Sequence, residues 1–181
     1  VRWQGQLDTL RAVLSRVPRD AGMGELGTRA AQHAQLLHWE RQADSLLQVL
    51  TMARVGVFEG YWFFLPSSLY AAWAHQLRGD RPAAHAAFDS ARVLLDSVIR
   101  ELPDDWRVHA ARGLALAGLG RRDEASREAR WLRQSVVYRE DAFAGPMFNH
   151  EIHVELGDVV DRDGFVFADL KLSSRPSCPS C

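Results

Sequence analysis

Ala43, Ala84 and Ala125 recur at an interval of 41 residues, and each opens a similar phrase: Ala43-x3-Leu47-x2-Leu50, Ala84-x3-Phe88-x2-Ala91 and Ala125-x3-Ala129-x2-Leu132. Positions three, four and seven apart share one face of an α-helix. Each phrase therefore reads as a buried stripe with a small residue where a neighbouring helix comes close. A regular interval of this kind is the constraint to settle first, because overlooking it mis-assigns the whole fold.

Two of the phrases follow a short turn, Arg78-Gly79-Asp80-Arg81-Pro82 and Leu119-Gly120-Arg121-Arg122-Asp123. Glycine supplies the left-handed conformation that closes one helix, and Asp80 with Pro82 caps and starts the next. Ahead of each turn runs another apolar-periodic segment, Leu69 to Leu77 and Val108 to Leu119, with Gly113 where close packing demands a small residue. The unit is helix, tight turn, helix.

This pattern resembles the tetratricopeptide repeat, whose second helix carries Ala-x3-aromatic-x2-Ala after a turn glycine. Gly79, Ala84, Phe88 and Ala91 match in one unit, and Gly113, Gly120 and Ala125 in the next. The usual period is about 34 residues. The longer interval here fits two extra turns of the second helix, since Ala83 to Glu101 runs unbroken to Leu102-Pro103. His109 and Arg112 stand where the family commonly has Trp and Leu. Gly120-Arg-Arg-Asp-Glu-Ala125, Asp141-Ala-Phe-Ala-Gly-Pro146 and Ile152 to Gly157 are also similar to C-terminal repeat arrays of bacterial signalling proteins of the kinase, cyclase or winged-helix regulator type. The resemblance covers roughly residues 25–157. It implies an all-α, right-handed α-solenoid of three to four helix hairpins.

Helices are expected over about 3–16, 26–37, 40–55, 66–78, 82–101, 105–119, 122–138 and 146–156. In domain terms, 1–18 reads as the second helix of a truncated preceding repeat and 19–157 as the array. Residues 158–172 read as a C-terminal cap, with Phe165, Phe167 and Leu170 covering the last apolar face, and 173–181 as a disordered Ser/Pro-rich tail. Val1 in place of a methionine suggests a cut through a repeat of a longer protein. No run reaches the roughly 18–20 apolar residues that span a bilayer, and no leader-like apolar centre is present. The expectation is a cytoplasmic chain without membrane insertion.

Composition supports a packed domain: 47% of residues are hydrophobic, 25% charged, and the net charge is -1, so nothing in the overall balance calls for a polyanion. The 22 basic residues are all arginine except Lys171. Arg107, Arg112, Arg121, Arg122, Arg127, Arg130, Arg133 and Arg139 cluster, but Asp123, Glu124 and Glu128 lie among them, and the set reads as solvated helix faces rather than a nucleic-acid surface.

Chemical motifs resolve into ordinary structure. Gly22-Met-Gly24-Glu-Leu-Gly27 has the dinucleotide-binding spacing but lacks the preceding buried strand, and reads as a glycine-rich inter-repeat loop. His150 and His153 are three apart where a zincin helix needs four, and Cys178 with Cys181 supply only two ligands, so neither a metal nor a cofactor is expected. Asp158, Asp161, Asp163 and Gly164 lack the spacing of a calcium loop. No nucleophile or phosphate-cradling motif is complete, and an enzyme is the least favoured class.

The resemblance places function in a concave groove. Carried over unit by unit, its lining is Gln32 and Gln35, then Trp73 and Gln76, then Arg107 and Leu114, then Glu151 and Glu155. Glutamine and tryptophan there suit an extended peptide or a helix of a protein partner, and the Lys/Asn set of carboxylate-clamping members is missing. Two alternatives stand beside this scaffold reading: a regulatory or sensory segment of a larger signalling enzyme, or a self-association module. Tyr61-Trp62-Phe63-Phe64 bears on the second, because four consecutive aromatics cannot all point inward from one helix, and some are expected in the groove or an oligomer contact.

Overall fold

The computed structural model describes residues 11, 12, 16, 23–60 and 63–135, with the side chains of 23–28 left aside. The expected helix 146–156, the groove positions Glu151 and Glu155, the 158–172 cap and the cysteine tail lie outside them, as does nearly all of the expected helix 3–16. The described chain is mostly helical. In order it forms α1 (Met23–Trp39), α2 (Ala43–Ala53), β1 (Val57–Glu59), β2 (Phe64–Pro66), α3 (Ser67–Leu77), α4 (Arg81–Glu101), α5 (Trp106–Gly118) and α6 (Arg122–Gln134).

One turn is built three times. After α3, the N–H of Arg78 donates to Ala74 O, that of Gly79 to Gln76 O and that of Asp80 to His75 O. After α5, Leu119, Gly120 and Arg121 donate in the same pattern to Ala115, Ala117 and Leu116. After α1, Glu40, Arg41 and Gln42 donate likewise to Leu36, His38 and Leu37. The last two bonds of each set close a helix around one left-handed residue. Gly79 (φ 74°) and Gly120 (φ 72°) take that place as expected, and the non-glycine Arg41 takes it at φ 57°. Each following helix starts two residues later, and Asp80 caps α4 by accepting from Ala83 N–H at 3.1 Å.

The turns correct the alignment of the first phrase. Counted from the left-handed residue, Leu46, Ala84 and Ala125 are equivalent, and all three are buried. Ala43 is only the first residue of α2 and is half-buried. The interval from Arg41 to Gly79 is 38 residues, and that from Gly79 to Gly120 is 41. The two spacings are also filled differently. The second contains the 21-residue helix α4, whereas α2 has 11 residues and is followed by the hairpin. Gly24 and Gly27 lie within α1, so the glycine-rich loop expected there is helix instead.

β1 and β2 pair antiparallel, with Val57 opposite Pro66, Phe58 opposite Leu65 and Glu59 opposite Phe64. No strand was expected here. Valine and aromatic residues bounded by Gly56, Gly60 and Pro66 favour a pleated ribbon over a helix. The period of two turns Phe64 and Pro66 into the protein and leaves Leu65 half-buried. Half-buried Phe63 and buried Phe64 of the aromatic run thus pack against their own chain's core.

Successive helices pack on one another along the chain, and one apolar cluster extends from Ala31 in α1 to Ala115 in α5. The amphipathic α4 contributes Ala84, Phe88, Ala91 and Leu95. α5 lies between α4 and α6 and is buried on most sides, Val108, Ala111 and the run Gly113–Ala117 included.

Candidate interaction surface

The hairpin ties the odd-numbered helices together. β1 packs against α1, and β2 against α3, α4 and α5. Phe58, fully buried, meets the edge of Tyr70 at 5.5 Å between ring centroids and 85° between planes. Tyr70 meets Trp73 edge-on at 5.3 Å, and Trp73 lies 5.1 Å from the His38 ring of α1. Edge-to-face aromatic pairs add about 0.5–1.5 kcal/mol each beyond area burial. An aromatic ladder thus runs from the hairpin through α3 to α1.

At the hairpin tip, Arg107 in the first turn of α5 donates from Nη1 to Gly60 O at 2.7 Å. Its Nε and Nη2 donate to the two carboxylate oxygens of Asp105 at 3.0 and 2.6 Å, and Nη2 lies 3.3 Å from Glu59 on β1. Asp105 also caps α5 by accepting from Arg107 N–H. The Arg107 side chain holds the Asp105 carboxyl below the usual carboxylate range, against the opposing effect of burial. The planar fork of arginine is what permits this division among three partners.

A second polar cluster joins α4, α5 and α6. Arg112 donates from Nε to Asp96 Oδ1 at 2.6 Å and from Nη1 to Glu128 Oε1. Asp96 Oδ2 accepts from Arg92 Nη1 at 2.6 Å, and Arg92 Nε donates to Asp89 at 2.9 Å. Glu128 Oε2 lies 2.6 Å from Nδ1 of His109, whose Nε2 lies 2.8 Å from Pro103 O. Trp131 stacks on the His109 ring at 3.6 Å and 17°. Both ring nitrogens face acceptors, and only the imidazolium donates twice. Burial pulls the His109 pKa down, but the bonds to Glu128 and Pro103 O outweigh it and hold it above the ordinary value. Glu128 and Arg112, expected on solvated faces, are therefore internal bonds between helices.

Of the groove positions carried over from the resemblance, Gln32 and Gln35 are exposed on α1, and Gln76 is half-buried on α3. Trp73 and Leu114 are corrected: at 9% and 8% exposure they belong to the core, because the neighbouring helices and hairpin cover the face expected to be open. Arg107 is turned to the hairpin. The β-prone run between Gly56 and Pro66 was the signal that could have revealed that cover.

His38 gives this region a proton dependence. Its Nδ1 is buried without a hydrogen-bond partner among the described residues, and burial, aided by the charge of Arg41, lowers its pKa to about 4. A lowered pKa makes the unfolded chain take up the proton first. Stability from His38 is full above pH 6.5 and is lost as pH falls from there toward 4. We expect His38→Gln to flatten this acid-side loss by about 1–2 kcal/mol, solvent screening included. Urea melts of both proteins at pH 7 and pH 4.5 check it, and equal pH slopes would contradict it.

No helix among the described residues is long and apolar enough to cross a membrane. No protein-family model, curated protein or solved structure matches this chain.

Proposed function

We propose that the chain is a tetratricopeptide-like helical scaffold of solenoid type that binds an extended or helical segment of a partner protein along its odd-numbered helices. The observation that carries this reading is the thrice-built turn, with Arg41, Gly79 and Gly120 in one conformation and one hydrogen-bond pattern. Helix hairpins set side by side by identical turns present a long surface in register, and such surfaces serve recognition in stacked helical repeats. Gln32 and Gln35 on α1, with Gln76 on α3, offer amide donors and acceptors to a peptide backbone.

The test starts with a displayed library of random peptides, selected on the whole chain. The variant carrying Gln32→Ala, Gln35→Ala and Gln76→Ala is expected to keep its helical circular dichroism and to bind the selected peptides at least tenfold more weakly. Trp73 is unsuited to this test, since its removal would open the core. A selection that yields no binder, or a triple variant with undiminished affinity, would overturn the reading.

A further inference from the structure

The hairpin touches every helix proposed to carry the binding surface, α1 through β1 and α3 and α5 through β2, and β2 touches α4 as well. Three positions expected in the groove are engaged internally on this side. Arg107 binds the hairpin, and Trp73 and Leu114 share a core cluster with Phe58 and Phe64. The hairpin offers this surface an extended backbone, a buried aromatic at Phe58 and a carboxylate next in sequence at Glu59.

We infer that the hairpin is a built-in occupant of the recognition surface, and that the partner is an extended segment with an aromatic residue followed by an acidic one, which replaces it. The inference rests on the scaffold reading and names the ligand class and regulation of the hairpin-covered side of the same helices. Three features suit the hairpin to exchange. Each strand has only three residues, and an isolated two-stranded ribbon is marginal in water, so its place depends on the helices beneath. Arg54 ends α2 in the left-handed conformation at φ 50°, a strained place for a residue with a side chain, and Gly56 follows in open space. The tip is held by polar contacts of Arg107 to Gly60 O and Glu59, of which Glu59 is 57% exposed, and bonds of this kind are readily traded for those of an incoming segment. Arg107 would meet the partner's carboxylate and carbonyl as it now meets Glu59 and Gly60 O, and Tyr70 would take its aromatic ring in place of Phe58.

Two measurements on the whole chain test this. In native-state hydrogen exchange read peptide by peptide, the segment 56–67 is expected to exchange through a partial opening at least tenfold faster than α4 and α5 after correction for intrinsic rates, and with a weaker dependence on urea. Exchange of that segment only with global unfolding would overturn the inference. In the second, a fluorescein-labelled synthetic peptide with the sequence of residues 56–67 is titrated by anisotropy. It is expected to bind the Phe58→Ala chain at least tenfold more tightly than the wild type, and the same peptide carrying Phe58→Ala is expected to lose that gain. Equal binding to both chains, or no loss with the altered peptide, would overturn it. Should Phe58→Ala fail to fold by circular dichroism, the exchange result on the wild type decides alone. A hairpin that never opens would leave the glutamine surface to its own library test, so the two readings fail separately.

Discussion

Replacing Glu128 with alanine is expected to lower the unfolding free energy by about 3–5 kcal/mol, the range for breaking a buried ion pair from one side. Glu128 is 7% exposed and takes both Arg112 and His109. Its removal leaves a guanidinium N–H and an imidazole N–H of α5 without their acceptor, the imidazole on a residue that is only 7% exposed. Urea unfolding measures the loss, and a value below about 1 kcal/mol would show that solvent replaces the carboxylate. The joint change Arg112→Leu, His109→Leu and Glu128→Leu is expected to cost less than Glu128→Ala alone, because no orphaned charge remains.

The same site sets an alkaline limit. His109 has a raised pKa, so the stability drawn from its proton is fully present below pH 6.5, the unfolded value, and is lost as pH rises through the folded pKa. Deprotonation leaves one ring nitrogen facing an acceptor with no hydrogen between them. In Glu128→Ala the strongest cause of the raised value is gone, and the alkaline loss should shrink with it. His38 acts in the opposite sense on the acid side, so the two histidines bracket the pH range of greatest stability.

The second large effect lies in the apolar core. Phe88 of α4 is 1% exposed, and its ring packs so closely on Gly118 that a Cβ built there would lie 2.5 Å from three ring carbons. Phe88→Ala is expected to cost about 3–5 kcal/mol by creating a cavity. Gly118→Ala should also destabilise, by about 1–3 kcal/mol, because overpacking against the ring exceeds the helix propensity gained. Combining Gly118→Ala with Phe88→Leu should recover part of the loss, since the smaller side chain leaves room for the methyl group. Strict additivity in that double-mutant cycle would mean that the ring moves aside freely.

Much of the helical layout was legible because apolar spacing and turn chemistry are local. The stripe Ala84, Phe88, Ala91 and the caps at Gly79, Asp80 and Gly120 stand in the structure where the residues indicated. The first turn was not legible, since Arg41 holds a conformation that glycine usually announces. Of the expected groove positions, Gln32 and Gln35 are exposed whereas Trp73 and Leu114 are buried, a difference that helix periodicity alone does not reveal. His109 stood out as a departure from the family pattern and Arg112 also as one of the clustered arginines, but their carboxylate partners come from residues 16 or more positions away. That pairing also gives part of the arginine excess a structural role, in Arg92, Arg107 and Arg112.

By itself the sequence determined a predominantly helical chain, the tight turns at Gly79 and Gly120 and which residues share a helix face. Only the tertiary structure decided what covers each face. It set the hairpin against α1, α3 and α5, drew Trp73 and Leu114 into the core and joined Glu128 to His109. The physical reason is that periodicity records how one element divides its residues between two sides, whereas burial and charge pairing depend on which distant segment lies against that side.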